Sequence, residues 1–265
     1  MNFRKEVFKA NMEKAKILNE RNPRAQFGVT IFSDQTESEM KKRMGAIAPT
    51  KPENAEYHQG RSKPMKNIDW RKDMEPIQDQ GACGSCWAFS ATASFETRYK
   101  LSQKEKLTKL SEQEVLDCTS DQYGCNGGWY TDAFDMLKST YFCTEDSYPY
   151  ETKKGKCRSD TCDQVAEDSG YKLVKDEEGL YDALHDGPIS IAVDASTWSS
   201  YQGGVLTECG TGMNHAVVIA GYDKKSNAWI IRNSWGSSWG EDGYIRVIYG
   251  ENMCNLNYKS AYPTF

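Results

Sequence analysis

Gln80-Gly81-Ala82-Cys83-Gly84-Ser85-Cys86-Trp87-Ala88-Phe89-Ser90 is the stretch on which the reading of this chain turns. It sets two cysteines in Cys-x-x-Cys spacing and runs straight into CWAFSATASFETRYKL (86–101), which reads as one long helix. The small residues Ala88, Ala91 and Ala93 suit close packing of that helix inside a core. Alone, Cys-Gly-Ser-Cys fits a redox dithiol. It also fits a single activated thiol at a helix N-terminus, where the dipole favours the thiolate. A zinc site would need more ligands, yet histidine is scarce (His58, His185, His215) and no second Cys-x-x-Cys exists, so no metal or cofactor is expected.

Upstream, residues 1–22 place Phe3, Val7, Phe8, Ile17 and Leu18 at helical spacing and stop at Asn22-Pro23, which predicts an amphipathic helix. FGVTIF (27–32) alternates as a strand, and 36–44 reads as a second helix. Residues 48–64 are polar, carry prolines and show no period, so an extended linker open to proteolysis is expected. Downstream, Ser111-Glu112-Gln113-Glu114 is a capping-box pattern opening a short helix, and 127–139 reads as another. From Ile189 onward ISIAVD, HAVVIAGYD, AWIIRNSW and GYIRVIYG are strands parted by Gly-rich turns. Helices first and strands later predict an α+β protein of two lobes with a cleft between them.

With 265 residues, 38% of them hydrophobic and 27% charged, the chain can bury a sizeable core. No apolar run nears the roughly 20 residues that span a bilayer, so no membrane partner is expected. The net charge of −5 is uneven. Residues 1–61 hold 12 Lys+Arg against 8 Asp+Glu (+4), and the remainder 21 against 30 (−9). A basic leader before an acidic body points to two parts that attract, and a body without a basic stripe argues against nucleic acid. Nine cysteines in loop-like surroundings fit an oxidised framework plus one free thiol.

Two later segments bear on Cys86. In Gly212-Met213-Asn214-His215-Ala216-Val217 a histidine opens an apolar strand 129 positions after Cys86, and Arg232-Asn233-Ser234-Trp235-Gly236 puts an asparagine at 147. Together with the Cys-Gly-Ser-Cys-Trp stretch, these segments resemble the papain and cathepsin family of cysteine peptidases, cathepsin L-like. The family's known pattern has His and Asn roughly 130–150 residues beyond its cysteine. The resemblance runs from Arg4 to Tyr262-Pro263. It implies a papain-like two-lobed fold, with a helical left lobe and a β-barrel-like right lobe, preceded by a mainly helical inhibitory propeptide. The implied division is 1–61 for the propeptide and 62–265 for the peptidase domain.

The resemblance also implies roles, and the residue types suit them. Cys86 would be the nucleophile and His215 its general-base partner, with Asn233 orienting the imidazole. Gln80 would donate to the oxyanion together with the Cys86 N–H. Gly127 and Gly128 would lay bare backbone against a peptide substrate, and Trp235 would shield the His–Asn hydrogen bond. Trp129, Tyr130, Ala192, Met213, Asn214 and Ala216 would line the substrate site, with Lys259 at the far end of a side-chain pocket. A cation there departs from the family's apolar or acidic residues. It either admits an acidic substrate residue beside apolar and aromatic ones, or snorkels to solvent without effect. The family bridges would be Cys83–Cys125, Cys118–Cys157 and Cys209–Cys254, leaving Cys143 and Cys162 as a fourth bridge or as buried thiols.

In the leader, Arg4, Phe8, Asn11 and Asn19 match the family's propeptide helix, Ala15 replaces its Ile, and its Glu would fall before Met1, so the chain is expected to start inside that helix. Gly28, Thr30, Phe32 and Asp34 match a second signature, with Thr in place of Asn. The leader would block the cleft until cut between about Asn54 and Pro64, its ion pairs weakening as pH falls toward the carboxylate range of roughly 4. The implied partners are polypeptide substrates, the chain's own propeptide and cystatin-type inhibitors. A monomer in a lysosomal, endosomal or secreted setting is expected. The alternatives are a non-catalytic inhibitory or binding relative on the same fold, and a disulfide oxidoreductase using Cys83 and Cys86. Exopeptidase action would need a cleft-blocking element such as a loop with paired histidines.

Overall fold

The structure, a computed structural model, describes residues 2–50, 55–60, 63–104, 106, 108–120, 122–138 and 140–265. The leader contributes α1 (Asn2–Arg21), β1 (Ala25–Phe27) and α2 (Glu37–Lys41), and the linker β2 (Glu56–Tyr57). The body follows with β3 (Ile68–Asp69), α3 (Cys86–Gln103), α4 (Glu112–Cys118), α5 (Tyr130–Leu137), β4 (Phe142–Cys143), β5 (Gln164–Ala166) and β6 (Gly170–Val174). It ends with α6 (Glu177–Leu184), β7 (Ile189–Val193), β8 (Tyr201–Leu206), β9 (His215–Asp223), β10 (Ala228–Arg232), β11 (Tyr244–Ile248) and β12 (Ser260–Thr264). The expected cleavage region overlaps residues 51–54 and 61–62, and the expected domain boundary at 61/62 falls there too; both lie outside the described residues.

The fold is α+β, but its β-rich lobe is an open sheet and not a barrel. Strand order is β1-β8-β11-β10-β9-β7-β12-β6-β2, with β3 paired to β9. The two ends do not pair with each other because leader and linker strands take them, β1 on β8 and β2 on β6. At the centre, every residue of β7 and all but the last of β9 are buried. Side chains of β9 alternate by face: Val217 and Ile219 enter the core of the sheet lobe, while Ala216, Val218 and Ala220 face the other way. On that side the Ser90 hydroxyl of α3 donates to the Val217 carbonyl at 2.8 Å, so helix and strand meet closely. Ala88 and Ala91 of α3 are fully buried, and enlarging either would cost about 1–3 kcal/mol in strain.

Three local expectations change. The strand expected over 27–32 ends at Phe27, because Ser33 takes the Thr30 N–H on its hydroxyl and returns its own N–H to the Thr30 carbonyl, closing a turn. The second helix stops at Lys41 after a full capping box between Thr36 and Glu39. At α4 only half a capping box forms: Ser111 accepts from Glu114 N–H, but the Glu114 carboxylate accepts from Cys143 N–H at 2.7 Å.

Four disulfides are present, Cys83–Cys125, Cys118–Cys157, Cys143–Cys162 and Cys209–Cys254. They fit an oxidising compartment. Among the described residues no helix is long and apolar enough to cross a membrane.

Candidate active site

Cys86 is the first residue of α3 and, among the described residues, the one cysteine outside a disulfide. The turn that feeds it is pinned by the Cys83–Cys125 bridge and by the Gly84 N–H, which donates to the Cys125 carbonyl at 2.8 Å. A side chain at Gly84 would strike that carbonyl. Opposite, β9 begins with His215, and the next N–H, of Ala216, donates to the Cys86 sulfur at 3.4 Å. Helix start and strand start therefore face each other, each fixed by its own element.

The His215 Nε2–H donates to Asn233 Oδ1 at 2.8 Å, and the Ser234 N–H donates to the same oxygen at 2.8 Å. The second bond fixes which way the amide points and hence the imidazole tautomer. Trp235 lies against the imidazole with centroids 4.8 Å apart, and Trp198 stands edge-on at 6.4 Å. Both His215 and Asn233 are buried.

Gln80 is held on every side. Its N–H donates to the Ser234 carbonyl (2.9 Å), its Oε1 accepts from the Ser234 hydroxyl (2.7 Å), and its Nε2 donates to the carbonyls of Cys83 and Arg43 (2.8 Å each). Its own carbonyl accepts from the Tyr150 hydroxyl at 2.9 Å, which in turn accepts from Ser85 at 2.6 Å.

The leader covers this group. Gly45 N–H donates to the Cys86 sulfur at 3.3 Å, Gly128 N–H donates to the Gly45 carbonyl (2.9 Å), and Ile47 N–H donates to the Gly128 carbonyl (3.0 Å). On the other wall Ala46 N–H donates to the Asn214 carbonyl at 3.1 Å. The chain thus crosses between Gly128 and Asn214 as an extended peptide. The group bonded to the sulfur is an N–H, which a nucleophile cannot attack. Ala46 and, half-buried, Ala48 pack in one apolar cluster with Trp129, Tyr130, Ala192, Met213 and Ala216. Gly127, at φ 131°, accommodates Ile47, whose side chain a Cβ there would meet. Lys259 is half-buried: its Nζ donates to the Pro49 carbonyl at 3.3 Å, and its own carbonyl accepts from the Tyr130 hydroxyl at 2.9 Å. Farther out, Phe32 of the leader stands edge-on to Trp235 at 5.6 Å, and Arg43 pairs with Asp79 at 2.9 Å.

Covering sets the protonation. Burial pushes the Cys86 thiol up to about 11, with the Ala216 and Gly45 N–H groups pulling partly back. Burial pulls His215 down to about 4 against the Asn233 hydrogen bond. The pair is therefore a neutral thiol and a neutral imidazole, and no hydrogen bond joins the two.

The sequence alone did not point to Arg43, Gly45, Tyr150 or Ser234. A lone glycine before an apolar run ending in Pro49 is the only trace the leader's crossing leaves. Tyr150 and Ser234 act through hydrogen bonds that no periodicity records.

A family model described as "Papain family cysteine protease" matches residues 64–264. Cysteine proteinase 2 of Leishmania pifanoi is 40% identical over 279 residues, and cysteine proteinase B of Leishmania mexicana 41%; each match spans 97% of this chain. The chain covers 62% of the length of each of these relatives. The structure of a digestive procathepsin L2 proteinase from Tenebrio molitor larval midgut superimposes with a TM-score of 0.90 at 32% identity, over 100% of this chain and 93% of that one. The chain belongs to the papain family of cysteine proteases.

Proposed function

We propose that this chain is the precursor of a cysteine endopeptidase, with residues 1–61 as an inhibitory leader and 62–265 as the peptidase domain. The observation that carries the reading is the leader's crossing. Its Gly45 N–H sits on the Cys86 sulfur and its Arg43 carbonyl on Gln80 Nε2, so one segment occupies both the nucleophile and the candidate oxyanion donor. The likeness to a procathepsin structure along the whole chain supports it.

Once uncovered, Cys86 gives its proton to His215, and the thiolate adds to the peptide carbonyl. The oxyanion accepts from Gln80 Nε2 and the Cys86 N–H. The imidazolium, oriented by Asn233, then protonates the departing amine as the C–N bond breaks, leaving an acyl-enzyme. Water, deprotonated by His215, hydrolyses the thioester and restores the thiol. Gly127, Gly128 and Asn214 offer backbone to the substrate, while Trp129, Tyr130, Ala192, Met213 and Ala216 form the side-chain pocket with Lys259 at its end and Trp235 guarding the triad.

Substrates are polypeptides, the leader and cystatin-type proteins are inhibitors, and the enzyme works as a monomer in a lysosomal, endosomal or secreted setting. The leader is held in part by pairs between its cations and body carboxylates, Arg43–Asp79 and Arg21–Glu208, and its release is triggered by acid. The test is incubation at pH 4.5 and at pH 7, followed by intact mass and labelling with an epoxide-type thiol reagent. Loss of the leader with labelling at Cys86, absent in Cys86→Ala, is expected at pH 4.5. Equal leader release at both pH values would remove the acid trigger.

A further inference from the structure

We propose that the Cys143–Cys162 bridge is a thiol-exchange site: a small thiol of the glutathione class opens it by attack on Cys162, and Glu114 supplies the proton that Cys143 takes as it leaves.

Cys143 ends β4, which pairs antiparallel with β5, and the bridge joins it to the residue two before β5. Cys143 is fully buried, whereas Cys162 is partly exposed. A thiol arriving from solvent therefore meets the Cys162 sulfur, and the Cys143 sulfur is the one that departs inward. There it finds an acid. A Glu114 carboxyl oxygen lies within 4.8 Å of both sulfurs, and among the described residues no other bridge has a carboxylate so placed.

Glu114 is fully buried; its Oε2 accepts from the Cys143 N–H at 2.7 Å, and its Oε1 has no hydrogen-bond partner. A buried carboxyl oxygen without a partner works against folding, whereas a proton on that carboxyl serves a thiolate formed beside it. Bonds other than the bridge hold both residues. The Glu114 N–H donates to the Ser111 hydroxyl at 2.9 Å, and the Ser111 N–H donates to the Cys143 carbonyl at 3.0 Å.

Burial pushes the Glu114 carboxyl up to about 7, with the Cys143 N–H pulling partly back. Charged groups of the flanking segments are engaged elsewhere or lie in solvent. Lys109 pairs with Glu112 at 2.6 Å and with Glu96 of α3 at 3.3 Å. Asp117 accepts from the Tyr148 hydroxyl at 2.8 Å, Glu145 accepts from the Tyr150 N–H at 2.9 Å, and Asp163 is exposed. Below about pH 7 the carboxyl thus carries the proton that the leaving sulfur needs.

The small thiolate adds to the Cys162 sulfur as the S–S bond breaks. The bonding pair stays on the Cys143 sulfur, which takes the Glu114 proton, and solvent then reprotonates Glu114. The product is a mixed disulfide at Cys162 beside a thiol at Cys143. A second small thiolate attacks the small-molecule sulfur of that mixed disulfide and releases Cys162 as a thiolate, which solvent protonates. Two small thiols become one small disulfide, and their two electrons reduce Cys143 and Cys162.

The experiment uses the full chain with Cys86→Ala, so that no free thiol competes, and glutathione between about pH 5 and 8. Timed samples are quenched in acid, alkylated and read by peptide map. The Cys143–Cys162 bridge should open at least about tenfold faster than the other three at about pH 6, with glutathione found first on Cys162. Its rate per glutathione thiolate should be level up to about pH 7 and fall about tenfold per unit above it, as Glu114 loses its proton. Glu114→Gln, which keeps an oxygen for the Cys143 N–H, should slow opening about a hundredfold at about pH 5 and give a level profile. Glutathione found first on Cys143, or opening no faster than at the other bridges, overturns the exchange site. A Glu114→Gln rate within about threefold of the parent overturns the proton donor. So does a normalised rate in the parent that stays level to about pH 8, a reading that needs no variant and decides the point even where Glu114→Gln does not fold.

Discussion

Replacing Gly45 by alanine tests whether the leader's crossing is what silences Cys86. A Cβ at this position would land on the backbone carbonyl of Gly84. That carbonyl cannot withdraw, because Gly84 is tied to Cys125 by its N–H and lies beside the Cys83–Cys125 bridge. Overlap with a rigid backbone costs about 1–3 kcal/mol if the segment merely shifts. If it lifts, it forfeits the bonds to Cys86, Gly128, Asn214 and Gln80, five in all, each worth about 1 kcal/mol net. The two bounds bracket about 1–5 kcal/mol, so exposure of the thiol should rise at least about fivefold and toward several thousandfold. The assay is the rate of iodoacetamide addition to Cys86 in the intact chain at pH 7, read by intact mass and a peptide map. A rate within twofold of the unsubstituted chain, with melting temperature and circular dichroism unchanged, would refute the reasoning.

In the processed enzyme Gln80→Ala is expected to lower kcat by about 10²–10³ with KM little changed; a kcat within threefold of the parent in steady-state assays would remove Gln80 from the oxyanion site. In the intact chain the Cys86 alkylation rate should stay level between about pH 5 and 7, because the thiol reacts from the uncovered state and uncovering moves its proton to His215 without taking one up; a tenfold climb per pH unit across that range in alkylation time courses would contradict this. Joint replacement of Cys143 and Cys162 by serine opens a loop of 19 residues and should cost about 3 kcal/mol in urea unfolding; an unchanged midpoint would show that the bridge contributes nothing.

Cys86, His215, Asn233 and Gln80 could be named from the sequence because their motifs resemble those of the papain family, and the structure brings the four close together. The central strands were legible for a physical reason: burial on both faces forces unbroken apolar runs such as HAVVIAGYD. What was not legible depends on contacts between distant backbones. The open sheet follows from β1 and β2 taking its edges, and neither segment carries a strong strand signal. FGVTIF alternates well, yet Thr30 and Ser33 bond each other's backbone and the Thr30 hydroxyl donates to the Ser199 carbonyl at 2.7 Å, so local polar bonds override the alternation. The Arg43–Ile47 crossing is made almost wholly of backbone bonds, and only its glycine is dictated by shape.

The protonation of the covered site constrains where an acid trigger can reside. A depressed imidazole pKa favours closure above the uncovered pKa, and that contribution is lost as pH falls toward the covered value of about 4. Were the uncovered His215 an isolated imidazole at its ordinary 6.5, acid would weaken closure by up to about 3 kcal/mol across that window. The uncovered pair is not isolated, however. A thiolate beside an imidazolium carries one proton, and so does the covered thiol beside a neutral imidazole. Uncovering then moves the proton from sulfur to nitrogen without taking one up, and closure gains no pH dependence from the pair in the acid range above about 4. On the alkaline side the raised thiol pKa acts alone: its contribution is present at neutral pH and is lost as pH rises toward about 11. An acid response must therefore come from carboxylates outside the pair. Asp79 and Glu208, the partners of Arg43 and Arg21, are 48% and 41% exposed in their side chains. Exposed pairs of this kind contribute about 1 kcal/mol or less each, so their loss loosens the leader only by degrees, and the linker's own strand on β6 still has to be cut or displaced before the cleft opens fully.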